Sequence, residues 1–586
     1  MNYRIAARRV YWRWFGEVDL AGGPTLRMSG DAARWLRPGD VVQLRIRGGA
    51  AGNLLDFDDY MLEHNGRTCW PPFQREVHHA LSGNRSRMLF GYRLRFREAR
   101  HEQDYEAIVE LELQHAASAT QPAAVWRCPD GSRVRSNDKP RCKKGNGRLQ
   151  EILGSTPASR FLIAELVDRK PYEPTVVAYL RLDPPLPAMH RRAGLKSDRR
   201  IRETVFPQEW FQPTFDPKAL QLYGRLWENA VQEALDGISP AAARIARLVV
   251  HPDYRSSGLG VRTVRIALEW VVERGVPDGR AAKELVLATT KTARYHPFLE
   301  KAGFRYLWDT VSDRPVLTYP LSDASARKVR RFLQTDPYAV EQGGVLYRTK
   351  YGRVRGLADP IVFHGVDKAF LNDPNANLTT TMQKIFSAFD LRDLRIGRPL
   401  LRGIRLRFEP GTVQLLWGTN RAGKAMLLRL LWDEMPDSGW VDVPEGKVKA
   451  FLPGVTEPTL GNEAVLERVA RQLQNVPAAV ELLCRLGLAD ASLWRASPHQ
   501  LAPHQQERLR LALLFAARPD LLLIGNFAEG QSEDGARWLA RAVAKLVRET
   551  GMTLVISSDR QAVREALEPD RIVYVGYGSV WSEPGC

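Results

Sequence analysis

The chain has 586 residues, more than one hydrophobic core usually supports, so we expect several domains. Its 44% hydrophobic and 26% charged residues exclude collagen-like and wholly disordered proteins. The 85 Lys and Arg residues exceed the 67 Asp and Glu residues by 18, which favours a polyanionic partner such as a nucleic acid.

The N-terminus carries charges where a signal peptide needs an apolar core, and no later run reaches the roughly 18 uncharged residues of a membrane span. We therefore expect a cytoplasmic protein without a membrane partner. Five cysteines are odd in number and widely scattered, which argues against a disulfide framework and predicts that all are reduced. They lack the paired spacing of zinc ligands, so no metal site is expected. These cysteines are Cys69, Cys128, Cys142, Cys484 and Cys586.

In chain order, the hydrophobic patterns predict an α/β multidomain protein. Short β-like runs with turn signals come first, then a mixed α/β domain with two basic insertions, a basic connector and a second α/β unit. The predicted segments are a small β-rich N-terminal domain at 1–86, the mixed domain at 87–321 with insertions near 118–150 and 185–205, the connector at 322–357, and the last unit at 358–586.

The turn Arg255–Gly260 follows an apolar strand and opens a helix in the mixed domain. Glycines there let the backbone approach a ligand closely, and the helix N–H groups attract phosphate oxygens. A tight strand-to-helix connection without a ligand is the competing interpretation.

The run VVHPDYRSSGLGVRTVR resembles motif A of the GNAT-superfamily acetyltransferases, whose pattern is Arg/Gln-x-x-Gly-x-Gly/Ala, and RYHPFLEKAGFRYL resembles their motif B. The resemblance covers roughly residues 88–320. It implies a GNAT-like fold that binds acetyl-CoA or another acyl-CoA, with pantetheine along the strand and pyrophosphate on the turn. The implied coenzyme-binding residues are Leu248, Val249, Val250, Arg255, Ser256, Gly258, Gly260 and Val261.

The same resemblance implies attack of an amine on a thioester, which needs an acid for the departing thiolate. Many relatives place a tyrosine in motif B for this role, but the most obvious register puts Leu299 there. Tyr295 and His296, one turn earlier, are the candidates for acid and proton relay. The alternative is that Tyr295 packs and His296 bonds to backbone beside Pro297.

A second loop, Gly418–Ala425, matches the P-loop spacing between an apolar strand and a helix. Its Gly418, Gly423 and Lys424 suit phosphate binding, but Ala425 has no hydroxyl for magnesium. The surrounding runs LLRGIRLRFEPGTVQLLWGTNRAGKAMLLRLL and SPHQLAPHQQERLRLALLFAARPDLLLIGNF resemble the ABC ATPase family.

Residue by residue, the other ABC motifs have lost their functional groups. The segment Leu501–Gln505 replaces the signature, with Pro503 in place of a glycine; Gly525 and Asn526 replace the Walker B acids; and Ser558 replaces the switch histidine. The run FLPGVTEP also lacks the Q-loop glutamine. Phosphoryl transfer depends on these positioned charges, so we expect a degenerate nucleotide site that does not hydrolyse ATP, in a domain that serves substrate binding or homodimerisation.

An acetyltransferase-like domain joined to an ABC-like domain resembles a bacterial and phage group, with distant similarity to the Mom-type enzymes that modify DNA bases. The leading hypothesis is therefore an acyl-CoA-dependent N-acyltransferase that acts on a nucleic acid, DNA rather than RNA. A transferase for a small-molecule, protein or tRNA amine is an alternative. A nucleic-acid-binding scaffold without catalysis is another.

Overall fold

The structure is a computed structural model that describes residues 1–47, 53–83, 88–116, 122–193, 196–372, 378–390 and 396–585. The chain divides into two compact units, which comprise residues 1–79 with 91–348, and residues 80–90 with 349–586. The boundary predicted between residues 86 and 87 lies outside the described residues. The division after residue 348 falls within the predicted connector.

The first unit begins with a mixed sheet in the strand order β5-β3-β2-β1-β4-β6-β7. Alternation of inward and outward residues along these strands buries one face, as at Tyr60 and Leu62, which are both 0% exposed. A short helix, α1 (Gly30–Ala33), joins the core. The strands are β1 (Asn2–Val10), β2 (Gly16–Leu20), β3 (Thr25–Met28), β4 (Val41–Ile46), β5 (Leu54–Leu55), β6 (Tyr60–His64) and β7 (Arg67–Trp70).

Strands β8 (Gln74–Ser82) and β9 (Met88–Glu98) lead into helix α2 (Glu102–Ala116). The helix starts where it does because the Asp104 carboxylate accepts hydrogen bonds from the N–H groups of Arg100 and His101 at 2.8 and 2.9 Å. Its buried face includes Tyr105 and Ile108, which lie in one apolar cluster with the central sheet.

The first basic insertion is folded, not an aperiodic loop as its composition suggested. It forms a small sheet in the order β11-β10-β14 and a hairpin of β12 with β13. Trp126 and Leu149 fill the core of the small sheet and are 2% and 1% exposed. Residues 117–121 of the predicted insertion lie outside the described residues. The strands are β10 (Ala124–Arg127), β11 (Arg133–Ser136), β12 (Arg141–Cys142), β13 (Gly145–Asn146) and β14 (Arg148–Ile152).

A disulfide joins Cys128 to Cys142 within this insertion. Their Cα atoms are 5.9 Å apart, inside the range that disulfide geometry requires. The prediction that all cysteines are reduced is therefore wrong for this pair, because the strands bring together two residues that are 14 positions apart in sequence. Cys69 and Cys484 are free thiols, whereas Cys586 lies outside the described residues.

A central sheet follows in the order β21-β22-β20-β19-β16-β15-β9-β8. Strands β19 and β20 run parallel, and the neighbouring pairs β16/β19 and β20/β22 are antiparallel. The strands it adds are β15 (Arg160–Leu166), β16 (Val176–Asp183), β19 (Ala242–Val250), β20 (Leu285–Thr289), β21 (Arg305–Asp309) and β22 (Pro315–Pro320). In the second basic insertion, β17 (Arg191–Ala193) and β18 (Lys196–Asp198) form a separate hairpin. The helices are α3 (Ile201–Val205), α4 (Pro217–Leu222), α5 (Trp227–Gly237), α6 (Leu259–Arg274), α7 (Phe298–Lys301), α8 (Asp323–Thr335) and α9 (Pro337–Gln342).

The second unit is built on a sheet in the order β27-β28-β29-β25-β30-β31, next to an antiparallel sheet β24-β23-β26. The neighbours from β27 to β30 are parallel and apolar, as expected for a sheet covered on both faces. The strands are β23 (Ile361–Asn372), β24 (Ile396–Phe408), β25 (Val413–Trp417), β26 (Ser438–Asp442), β27 (Val448–Phe451), β28 (Leu521–Ile524), β29 (Thr553–Ser557), β30 (Arg571–Gly576) and β31 (Ser579–Pro584). The helices are α10 (Thr380–Ala388), α11 (Lys424–Leu430), α12 (Val465–Leu473), α13 (Val476–Arg485), α14 (Ala491–Arg495), α15 (Pro503–Ala516), α16 (Glu533–Thr550) and α17 (Gln561–Leu567).

The described residues offer neither a membrane-spanning helix nor a metal cluster. Among these residues, no helix is both long enough and apolar enough to cross a membrane. The same residues contain no group of three His, Cys, Asp or Glu side chains placed to hold a metal ion.

Candidate functional site

The central sheet opens along the second half of β19. Pairing with β20 runs only from Ala242 to Ile245, whereas pairing with β16 continues to Val250. A bulge at Ala246 separates the two halves of the strand. Beyond the bulge, one edge of β19 therefore faces a gap between two parallel strands.

Backbone groups of β19 point into this gap. The N–H of His251 bonds to the carbonyl of Val177 at 2.8 Å, which fixes the alternation of hydrogen bonds along the pair β16/β19. The N–H and C=O groups of Leu248 and Val250 then point away from β16. Val249, by contrast, is 1% exposed and buries its side chain against α2. The gap thus offers backbone donors and acceptors at alternate residues, which is what an extended chain with amide groups needs.

The predicted phosphate turn lies at the end of this strand. The Arg255 guanidinium donates from Nε to the carbonyl of Val250 at 3.0 Å, so it folds over the strand end. Ser256 has φ 63°, and Gly258, with φ 86°, occupies the N-cap position of α6 without a side-chain cap. The helix therefore begins with N–H donors, including that of Val261, that have no partner within the helix. Helix α6 is 16 residues long, so its dipole adds positive potential at this end.

The two glycines of the turn are there for different reasons. Gly258 requires glycine because its backbone is left-handed, although a Cβ there would meet nothing within 4 Å. A Cβ on Gly260 would lie 3.7 and 3.8 Å from the side chains of Leu248 and Val250, which is ordinary contact. The fold therefore does not demand glycine at position 260. A small residue at position 260 leaves the start of α6 accessible, which the fold by itself does not require.

Two residues that the sequence did not point to support the turn. His79 donates from Nε2 to the carbonyl of Ser257 at 3.2 Å, and the Tyr92 hydroxyl lies 3.3 Å from the Ser257 hydroxyl. Desolvation lowers the pKa of His79, which favours the neutral ring. Both residues lie on the strands β8 and β9, more than 160 positions before the turn, so no local motif marks them.

The predicted acid and relay lie at the same edge of the sheet as the turn. They follow β20, and the carboxyl ends of parallel neighbours such as β19 and β20 meet at one edge. Tyr295 is 38% exposed, whereas Leu299, at the position where relatives carry tyrosine, is 1% exposed in the core. Desolvation, with a contribution from the Lys301 ammonium, lowers the pKa of His296 to about 4 although the residue keeps an exposed edge. Its imidazole is therefore neutral at neutral pH.

In the second unit, the P-loop sequence lies between β25 and α11, as predicted. The Lys424 ammonium donates to the carbonyls of Gly418 and Thr419, the latter at 3.0 Å, and so closes onto its own loop. Desolvation lowers the pKa of Lys424, and the charge of Asp559 opposes that shift. Ala425, in the first turn of α11, contributes no oxygen that could hold magnesium.

The positions of the Walker B, switch and signature motifs also lack the side chains typical of the ABC family. Asn526, directly after β28 and Gly525, has φ 49° and donates its N–H to the Ser557 hydroxyl at 3.1 Å. Ser558 is 4% exposed and directs its hydroxyl to the carbonyl of Phe527. Pro503 opens helix α15, where it removes one backbone donor. The unit keeps the fold around the loop but not the charged groups of an ATPase centre.

The geometry of the second unit defines an ABC-type P-loop domain, and comparisons with known proteins agree. No protein-family model matches the chain. The zinc import ATP-binding protein ZnuC of Marinobacter nauticus is 30% identical over 198 residues, which is 33% of this chain and 72% of that protein. The methionine import ATP-binding protein MetN of Mesorhizobium japonicum is 26% identical over 237 residues, which is 36% of this chain and 64% of that protein.

Among solved structures, a dimeric post-hydrolysis state of the ATP-binding cassette MJ0796 bound to ADP and phosphate is 18% identical. It covers 38% of this chain and 98% of its own, with a TM-score of 0.30. Because the ZnuC match reaches 30% identity over more than two thirds of that protein, the chain belongs to the ABC ATP-binding protein family. The match covers about a third of this chain.

Proposed function

We propose that the chain is an acyl-CoA-dependent N-acyltransferase of the GNAT type that modifies a nucleic acid, DNA rather than RNA. Its ABC-like domain would bind substrate or form a homodimer without hydrolysing ATP. The observation that carries the proposal is the gap beside β19 that ends at the turn Arg255–Gly260.

The gap suits the pantetheine arm of a coenzyme. Pantetheine is an extended chain with two amides, and the N–H and C=O groups of Leu248, with the N–H of Val250, can pair with them as a neighbouring strand would; the Val250 carbonyl is bonded to Arg255. The strand order β9-β15-β16-β19-β20-β22-β21, with one parallel pair, forms a mixed sheet, which fits the mixed α/β domain expected from the resemblance to GNAT enzymes.

The turn suits a diphosphate. The N–H donors that open α6, the dipole of a 16-residue helix and the positive charge of Arg255, whose Nε is held by the carbonyl of Val250, all favour anionic oxygens. Gly260 keeps the backbone accessible at a position where the fold accepts a side chain. These features together make an unliganded structural turn the weaker explanation.

The chemistry follows from the groups at this edge of the sheet. Bound acyl-CoA supplies a thioester carbonyl, whose C–S bond breaks as an acceptor nitrogen forms the new C–N bond. We assign to Tyr295 the proton for the departing sulfur, because its hydroxyl is accessible and follows β20. His296, the exposed residue next to Tyr295 in the chain, is assigned as the relay that passes the proton lost by the acceptor nitrogen back to the Tyr295 phenolate.

The ABC-like domain lacks side chains that ATP hydrolysis needs. Its loop cannot supply a magnesium hydroxyl at Ala425, and no carboxylate stands at Gly525 or Asn526. Catalysis is then assigned to the central sheet. A homodimer formed through the second unit belongs to the same proposal, and sedimentation of the purified chain measures it.

The proposal is tested by a substitution series at Gly260. Gly260→Ala fits both the fold and the motif pattern, so titration calorimetry should give a CoA affinity close to that of the natural chain. Gly260→Leu should abolish CoA binding because its side chain extends over the strand end. Gly237→Leu, on the open end of α5, is the matched control. Equal CoA affinity of both leucine variants, or no binding by the natural chain, would overturn the proposal.

The acceptor requires a second readout. Mass spectrometry of hydrolysed DNA and RNA from cells that express the natural chain or Gly260→Leu should show an acylated nucleoside only with the natural chain. If CoA binds but no nucleoside changes, the acceptor is a small-molecule or protein amine.

A further inference from the structure

An aromatic cleft lies beside the basic insertion in the first unit. It has a volume of about 480 Å³, within the range of pockets that enclose a small ligand or part of a larger one. The rings that line it are Tyr11, Trp12, Trp14, Phe15 and Phe57.

The rings of this cleft are arranged in layers. Those of Trp12 and Trp14 stack with centroids 5.2 Å apart and planes 7° from parallel, and those of Tyr11 and Phe15 stack at 5.3 Å. Tyr11 is 51% exposed, although a large aromatic side chain gains by burial. Flat faces are therefore presented to the solvent at the cleft, and a planar ring could extend the stack.

A row of three arginines starts at the cleft and runs across the small sheet. Arg148 lines the cleft and pairs across the strands with Arg127, which pairs in turn with Arg133. Residues directly opposite each other in antiparallel strands share one face, with Cβ atoms about 4.5–5.5 Å apart. All three are exposed. We call these residues the arginine row.

Nothing in the described part of the chain neutralises the arginine row. Among the described residues, no carboxylate lies within ion-pairing distance of Arg127, Arg133 or Arg148. Like charges placed opposite each other destabilise a sheet. The segment 124–152 also carries eight cationic residues against three carboxylates. An external polyanion is the partner that makes this arrangement favourable.

One acidic residue lies at the cleft, and it does not cancel the row. Lys139 pairs with Glu106 at 2.6 Å and lies 4.0 Å from the Glu102 carboxylate, so Glu102 is only partly neutralised. Arg100, on the same rim, pairs with the exposed Asp58 at 3.4 Å. The cleft itself thus has a nearly balanced rim, and the unneutralised positive charge lies along the arginine row.

We propose that the aromatic cleft and the arginine row bind one segment of single-stranded nucleic acid, with unpaired bases on the rings and phosphates along the row. A charged backbone that carries flat rings is the ligand whose two chemistries match both features. A duplex fits less well because its bases are already stacked. The inference rests on the proposed function for the role of the strand as acceptor, but binding itself can be measured without it.

The test is fluorescence anisotropy with a labelled single-stranded deoxythymidine oligomer, between about 50 and about 200 mM NaCl. Each phosphate contact contributes about 0.7 to the slope of log affinity against log salt. The triple variant Arg127→Ala/Arg133→Ala/Arg148→Ala should lower that slope by about 2. Arg305→Ala, an exposed arginine on β21, is the single-site control and should leave the slope unchanged.

The rings are tested separately. Trp12→Ala should weaken binding about 5- to 100-fold at constant salt slope, and Trp12→Phe, which keeps a stacking face, should restore most of the affinity. Thermal unfolding of each variant shows whether the domain remains folded. If Trp12→Ala unfolds the chain, Tyr11→Ala replaces it, because that ring is half exposed.

The outcomes separate this inference from the proposed function. Absence of strand binding by the natural chain, binding that none of the variants alters, or tighter binding to a duplex of the same sequence would overturn it. Equal affinity for the matching RNA oligomer would support single-strand binding at this surface. Mass spectrometry of the nucleosides would then decide whether DNA or RNA is the acceptor. CoA binding, measured on the same preparations, decides the proposed function independently.

Discussion

The disulfide of the basic insertion should stabilise the small sheet that carries the arginine row. Cys128 and Cys142 are 14 residues apart. Closing a loop of about 15 residues is worth about 3 kcal/mol in the chain-entropy model. The double variant Cys128→Ser/Cys142→Ser should therefore increase the open population of the insertion about 100-fold, since 1.4 kcal/mol corresponds to a factor of ten.

Hydrogen exchange measures this opening directly. Peptides that contain β10 and β14 should lose about 100-fold protection in the double variant, and reduction of the natural chain should have the same effect. Peptides from α6 should not change. The double variant Cys69→Ser/Cys484→Ser, which removes the two free thiols, is the matched control. Unchanged protection of β10 after reduction would refute the reasoning, because the small sheet would then hold itself together.

Three further predictions concern other parts of the chain. The Lys283 and Asp278 side chains form an ion pair and are both 0% exposed, so Lys283→Met leaves a buried carboxylate without its cation. Urea unfolding should show a loss of about 3–5 kcal/mol in the free energy of unfolding, and adding Asp278→Leu should recover most of it. A double variant as unstable as the single one would contradict this. Ala425→Ser restores a hydroxyl but no carboxylate, so phosphate release from Mg-ATP should stay at background, and sustained release would contradict the assignment. Desolvation raises the pKa of Asp104, but the hydrogen bonds and charge of Arg97, together with the backbone N–H groups of Arg100 and His101, outweigh it and hold that pKa below its usual value. The stability that Asp104 contributes should therefore be present above about pH 4 and be lost as the pH falls through its folded pKa. In Asp104→Asn, the free energy of unfolding should fall less steeply with decreasing pH. The same pH dependence in the variant and the natural chain would count against this.

The central strand, turn and helix could be predicted from sequence because their signals are local. An apolar run predicts β19, and the amphipathic run that ends at Gly275 predicts α6. The P-loop could also be predicted, because the residues from Gly418 to Lys424 lie in one short segment. Both predictions needed only residues that are neighbours in the chain.

The disulfide, the arginine row and the support of the turn could not be predicted in the same way. Each depends on which strands pair and in which register, and neither composition nor spacing encodes that. The insertion looked like a polar loop because its strands are short and most of its residues face the solvent. His79 is 178 positions away from Ser257, so only the folded sheet reveals the contact.

Glycines that survive in a nucleotide-type loop do not by themselves indicate retained function. A Cβ on Gly418 would lie 2.2 Å from the carbonyl oxygen of Val575, and Gly423 has φ 108°, so the second unit needs both glycines to fold whether or not ATP binds. Their persistence beside Ala425 is therefore compatible with a lost ATPase centre. Gly260 is the informative case, because a Cβ there would make only ordinary contacts and the fold therefore accepts alanine. Gly260→Leu is therefore the substitution that tests whether a coenzyme reaches the gap beside β19.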